Sequence, residues 1–245
     1  MYSTIQFAEV RSRKTYCLSY VLLLLTIYSS MLTAQGQQVV YDPKIAATFD
    51  YLNGKILQLP EMEDETGNIF KNEQLKGKTL YVDFWFTTCP PCLEEIEPAR
   101  ALKTFFQADT NIVFLNICIE NFEKKEAWKT MIKEKQIKGI NLFYARNRPQ
   151  RLNLVRLYGV DDFPTYLLVN PRAQVIGYRA PRPSQSGWVH WALYNAGSGQ
   201  SLSSSYRQMF GNDKNRQQFF AQNRQRIDSL NVITGMSPST ENIRE

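Results

Sequence analysis

The chain has 245 residues, enough for one domain with extensions or for two small ones; 43% are hydrophobic and 13% aromatic, the composition of a soluble globular protein with ample material for a core. Lys and Arg outnumber Asp and Glu by 29 to 23, but three basic residues and one acidic residue fall in the first 34, which leaves a surplus of only +4 over the rest. That part holds no dense basic cluster, so no nucleic-acid partner is expected.

Arg11, Arg13 and Lys14 precede an apolar stretch over residues 18–28, centred on Leu22-Leu23-Leu24-Leu25, and small and polar residues follow to Ala34-Gln35. This three-part plan predicts a signal peptide over 1–34, cleaved after Ala34. The alternative is an uncleaved anchor, a membrane tether through residues 18–34. Either way the body of the protein is expected on the extracytoplasmic or periplasmic side. Cys17 does not sit where a lipoprotein cysteine would. Removal of the signal leaves Cys89, Cys92 and Cys118, one pair and a leftover, which is no disulfide-stapled scaffold.

Residues 35–54 read as a polar lead-in. Residues 55–62 and 68–70 flank Asp64-Glu65-Thr66-Gly67 and predict a hairpin with Gly67 in its turn. Asn72 reads as the cap of a single helical turn ending at Gly77. Residues 79–86 are apolar almost throughout, which predicts a central strand covered on both faces. A helix is predicted over 90–107, with Ile96, Ala99, Leu102, Phe105 and Phe106 as its apolar stripe, and a second buried strand over 111–119. Helices over 123–136 and 151–158 follow, the latter stopped by Gly159. Strands over 165–169 and 174–178 form a hairpin around Asn170-Pro171-Arg172-Ala173, and a helix over 188–194 closes the unit. Early strand–helix alternation implies a parallel core and the late hairpin an antiparallel edge: an α/β domain over 55–196. Residues 197–205 read as a Gly/Ser/Gln-rich linker. Residues 214–230 read as a helix with Phe219, Phe220, Ile227 and Leu230 inward, and the end of the chain as a disordered tail.

The chemistry concentrates in Cys89-Pro90-Pro91-Cys92, delivered by the first buried strand to the start of a helix. Disulfide exchange needs one accessible thiolate and one sheltered thiol to resolve the mixed disulfide. Cys89 falls at the helix N-cap, where unpaired N–H groups and the helix dipole favour a thiolate, so it is read as the nucleophile and Cys92 as the resolving thiol. Pro90 and Pro91 fit the first turn, whose N–H groups lack partners anyway. Asp83 is the odd residue in its strand; a buried carboxyl near Cys92 is a proton acceptor for that thiol. The other reading of Asp83 is an exposed position paired with a lysine. Glu95, three residues after Cys92, lies on the same helix face and would relay protons or tune the pair; its alternative is a solvated charge among Glu94 and Glu97. Phe163-Pro164-Thr165 precedes a strand, where the proline is either cis, with a backbone edge beside the active sulfur, or an ordinary trans turn.

Val82-Asp83-Phe84-Trp85 and the Cys-Pro-Pro-Cys, joined to Tyr158-Gly159-Val160 and Phe163-Pro164-Thr165, resemble the thioredoxin superfamily and, within it, the TlpA/ResA-like branch of exported thiol-disulfide oxidoreductases. The Gly67 hairpin and Leu75-Lys76-Gly77-Lys78 also resemble that branch. The resemblance covers residues 57–194. It implies a thioredoxin-like fold, a central mixed sheet flanked by helices, here with an N-terminal hairpin extension and a C-terminal helical tail. It implies a redox-active Cys89–Cys92 disulfide, Pro164 as the cis-proline that binds substrate backbone, Asp83 as the buried aspartate and Glu95 as an active-site glutamate. Trp85, Thr88, Pro90, Pro91, Phe163, Pro164 and Thr165 would form the substrate surface. Three features depart from the family. Thr88 replaces the usual Trp and would open the surface beside the nucleophile; Pro98 comes six residues after Cys92 rather than five; the tail from Gly197 lies outside the common domain.

The implied activity is dithiol–disulfide exchange with protein substrates, without a cofactor, in the reducing direction. A membrane thiol donor would recharge the pair, and an apocytochrome is one kind of client. An oxidant, or a redox-silent adaptor that binds partners through its C-terminal helix, are the alternatives. Zinc would need two more ligands, and only Cys118 and His190 are on offer, both read as core residues. A peroxidase would need Thr where Phe86 stands.

Overall fold

The computed structural model describes residues 41–149, 151–211 and 213–233, so the expected signal over 1–34 and the final residues of the expected tail lie outside the described residues. Six strands form one sheet in the order β1-β4-β3-β2-β5-β6: β1 Glu63–Asp64, β2 Thr79–Trp85, β3 Ile112–Glu120, β4 Ile140–Ala145, β5 Thr165–Val169 and β6 Val175–Tyr178. The inner trio β4-β3-β2 is parallel; β1, β5 and β6 run antiparallel to their neighbours. The topology is thioredoxin-like, an α/β sheet with helices on both faces.

Alternation along β2 assigns its two faces. Leu80, Val82 and Phe84 join Leu115 and Ile117 of β3 in one core layer, with Leu154 and Tyr158 from the helix α5 (Leu154–Tyr158). Tyr81, Asp83 and Trp85 point the other way. The register sets Asp83 beside Asn116 and Tyr166, and Trp85 beside Cys118. On that face Tyr81 packs with Leu102 and Phe105 of α3 (Ile96–Phe105) and Trp191 of α6 (Trp188–Gly197). Each fully buried Leu or Ile contributes roughly 1.5–3 kcal/mol; one polar residue in such a face is therefore conspicuous.

The expected helix over 90–107 is two helices, α2 (Pro90–Glu94) and α3, broken at Glu95. Pro98 accounts for the break: it occupies the first turn of α3, where its missing N–H leaves no bond unmade, and α3 must therefore restart just before it. The helix expected over 123–136 is a 3-10 turn (Phe122–Lys124) leading into α4 (Lys125–Glu134). β4 had no counterpart in the sequence reading. Asn141 interrupts its apolar pattern, but the side chain is buried and satisfied: it accepts from Asn116 Nδ2 at 2.7 Å and donates to the carbonyl of Ile137 at 3.0 Å. The lead-in contains α1 (Pro43–Phe49), capped by Asp42, which accepts from Lys44 N at 2.8 Å. Residues 54–56 then pair with Val175 and Gln174, covering the β6 edge.

The expected linker over 197–205 is mostly helix. α6 runs on to Gly197, and α7 (Leu202–Phe210) begins at the Ser201 cap and buries Leu202, Ser205, Tyr206 and Met209. Spacings of three and four put these on one face, so the Ser-rich composition conceals an amphipathic helix. α8 (Lys214–Ile233) packs Phe219 and Phe220 against Trp191, with ring centroids 5.4 and 6.4 Å apart, and buries Ile227. Arg226 stacks over Phe105 and donates to its carbonyl. The tail is thus continuous with the core, which makes a prediction. A Cβ at Gly177 of β6 would lie 2.7 Å from Leu202 Cβ and 3.0 Å from its Cδ2. Gly177→Ala is therefore expected to displace α7 and cost about 1–3 kcal/mol in urea unfolding. An unchanged midpoint would show that α7 does not press on the sheet. Among the described residues no helix is long and apolar enough to cross a membrane.

Candidate active site

β2 ends at Trp85, and the chain turns through Phe86, Thr87 and Thr88 into Cys89. Cys89 has extended backbone and caps α2, with Pro90 and Pro91 in the first turn. Cys89 and Cys92 are joined as a disulfide, Cα atoms 5.2 Å apart, and Cys92 N donates to Cys89 Sγ at 3.2 Å. That N–H would equally meet a thiolate on Cys89, which is how a helix start lowers a thiol pKa. Thr88 is exposed, yet Cys89 is only 2% exposed and Cys92 5%. The loss of a Trp at position 88 therefore does not lay the first sulfur bare: Phe86 and Phe163, in edge contact at 5.1 Å, pack against the cluster of Trp85, Cys89 and Cys92. The Phe163–Pro164 bond is cis, and Pro164 and Thr165 are buried. Thr165 Oγ1 donates to the Asp162 carbonyl at 2.7 Å and fixes the turn before β5.

Beneath Cys92 lies a small cavity of about 20 Å3, room for one water molecule, lined among others by Asp83, Cys92, Glu95, Lys103 and Asn116. Asp83 is half-buried as a residue, but its Oδ1 is fully enclosed and has no hydrogen-bond partner among the described residues. Burial pushes its carboxyl up to about 7; Lys103 opposes the rise and the charge of Glu95 adds to it. Lys103 is pushed the other way, to about 8, by burial against the attraction of Asp83. Its Nζ donates to the Lys138 carbonyl and to Asn116 Oδ1 at 3.3 Å.

Glu95 is 5% exposed and accepts from the Ser184 amide at 2.8 Å and the Ser184 hydroxyl at 2.6 Å. The reading of Glu95 as a solvated helix charge is therefore wrong; Glu94 and Glu97 take that place at the surface. Cys118, in β3 beside Trp85, is fully buried, and burial together with Glu120 pushes its thiol well above the usual range. His190 is buried between Phe105 and Phe106, accepts from Gly187 N at 3.2 Å, and is held neutral by burial, its pKa pushed down to about 3.

Three contributors were not singled out from the sequence. Lys103 follows Cys92 by eleven residues, three helical turns, so helical periodicity could have placed it below the pair. Ser184 lies in a turn after β6, and nothing local marks it. Buried Glu120 ends β3, accepts from Thr87 Oγ1 at 3.0 Å and from Asn121 N at 3.1 Å, and so holds the loop that carries Cys89; an acid closing an apolar strand was the available signal.

A family model described as Redoxin matches residues 53–185, more than half of the chain. The chain is 28% identical over 121 residues to the thiol-disulfide oxidoreductase ResA of Bacillus subtilis and 24% identical over 115 residues to that of Halalkalibacterium halodurans. Each match takes in 47% of this chain, and 60% and 61% of the respective relatives' lengths. A solved thiol:disulfide interchange protein of the thioredoxin family from Chlorobium tepidum is 21% identical with a TM-score of 0.45, covering 58% of this chain and 97% of that one. The Cys89–Cys92 disulfide, placed where β2 meets α2 in a sheet of thioredoxin-like topology, agrees with the family match: the chain belongs to the Redoxin family.

Proposed function

We propose that the chain is an exported thiol-disulfide oxidoreductase that reduces disulfides of protein clients. The observation that carries this reading is the Cys89–Cys92 disulfide at the start of α2, with the enclosed Asp83 carboxyl in the lining of the cavity under Cys92. In the reduced protein the Cys89 thiolate attacks one sulfur of a client disulfide; the client S–S bond breaks and one client thiolate leaves. Cys92 gives its proton to the Asp83 carboxylate, across the water-sized cavity, and attacks Cys89 Sγ, which releases the second client thiolate. The client gains two electrons, and the pair is left as a disulfide. A membrane dithiol donor returns the electrons. Thr88, Pro90, Pro91 and Phe163 form the face that a client meets, buried Trp85, Pro164 and Thr165 support it from beneath, and Glu95 tunes the pair from the kink between α2 and α3.

Export rests on the basic, apolar and small-residue plan of residues 1–34, which leaves a periplasmic protein or one tethered through 18–34. Equilibration with a glutathione buffer tests the direction: a potential below about −220 mV supports the reductant, and one above about −180 mV would make the protein an oxidant.

A further inference from the structure

The turn after β6 reaches the redox centre through Ser184. Ser184 is exposed, yet both of its donors reach inward to the buried Glu95, at the joint between α2 and α3. Glu95 has no freedom to swing: each carboxylate oxygen is engaged, and the residue walls the cavity that Asp83, Cys92 and Lys103 share. We propose that Ser184 is a positioning residue, a clamp that holds the Glu95 carboxylate in the wall of the Cys92 cavity so that its charge acts on Asp83. The proposal rests on the reading of Asp83 as the proton acceptor and adds to it a residue on a separate element that sets the acceptor's working range.

A fixed negative charge near Asp83 favours its protonated form. Glu95 contributes in that sense to Asp83, with the burial of Asp83 as the larger cause and Lys103 in opposition. The other charged or titratable groups around the cluster are Arg100 and Lys138 in the cavity lining, Cys92 of α2, Tyr81 of β2, Cys118 of β3, Tyr166 of β5 and Arg182 of the same turn as Ser184. Ser184 donates to Glu95 twice, from its amide and from its hydroxyl. Loss of the hydroxyl frees one carboxylate oxygen and lets the side chain move from the wall toward solvent.

The test is the titration of the Asp83 carboxyl carbon by NMR in the oxidised protein, without substrate. Ser184→Ala is expected to lower the Asp83 midpoint by a few tenths of a pH unit, because the Ser184 amide still holds the other carboxylate oxygen. Ser184→Thr, which keeps the hydroxyl, should titrate like the wild type, and Glu95→Gln should lower the midpoint at least as far as Ser184→Ala. Because Ser184 is exposed, the urea midpoint of Ser184→Ala should barely move, which separates positioning from a loss of fold. An Asp83 midpoint unchanged in Ser184→Ala overturns the proposal, as does a fall in Glu95→Gln with none in Ser184→Ala. The reading of the protein as a reductase fails on different results, in turnover of client disulfides, which this titration does not use.

Discussion

Cys89→Ser protein is expected to lose insulin-disulfide reduction by about a thousandfold or more, to the background of the assay, because a serine hydroxyl at neutral pH supplies no nucleophile comparable to a thiolate. Cys92→Ser should fail differently. Cys89 still attacks, but nothing resolves the product, so a mixed disulfide accumulates and appears as a client adduct on a non-reducing gel. Cys118→Ala should retain turnover within about twofold, since the Cys118 thiol is sealed in the core and burial holds it protonated. The three variants separate nucleophile, resolver and bystander in one assay. An active Cys89→Ser protein, or adducts formed through Cys92 when Cys89 is absent, would sink the assignment.

The parts of the fold written in short-range pattern were legible. The continuous apolar run of β2, the Cys-Pro-Pro-Cys at a strand-to-helix junction and the hairpin around Asn170 each carry a local signal, and each is found in place. β4 was not legible because Asn141 looks like a surface residue until Asn116 is set opposite it, and that pairing exists only once β3 and β4 are in register. α7 was hidden by composition: three consecutive serines read as a linker, while the Leu202, Tyr206 and Met209 face that defines the helix needs β6 to be meaningful. The site divides in the same way. Asp83 stood out because one acid in an apolar strand is costly to bury. The other contributors to the site come from three other elements: Lys103 shares the cavity with Asp83, Ser184 holds Glu95 and Glu120 holds Thr87, and only tertiary structure brings them there.

The second large effect is at Asp83, where activity and stability should move in opposite directions. Asn cannot take a proton from Cys92, so Asp83→Asn is expected to slow resolution roughly ten- to a hundredfold near pH 7, at or below the low end of what a positioned base contributes, and to erase the rise in rate across pH 6–8. The same change should stabilise the fold in alkali. In the folded protein the carboxyl holds its proton up to about pH 7, whereas in the unfolded chain it releases it near the ordinary aspartate value of 3.8. Between those values the folded state binds more protons, so stability falls as pH rises through that window and stays reduced above it. Each pH unit of displacement is worth about 1.4 kcal/mol, which makes the ionised, half-hidden Asp83 a cost on the order of a few kcal/mol at pH 8. Lys103 returns part of any gain, because the Asp83 charge favours its ammonium and Asn would withdraw that support. The net expectation for Asp83→Asn is a gain of about 1–2 kcal/mol at pH 8 and none at pH 4, read from urea unfolding at both values. A variant that is less stable at pH 8 would show that Asp83 is held as a paired anion, and the resolving thiol would then need another acceptor.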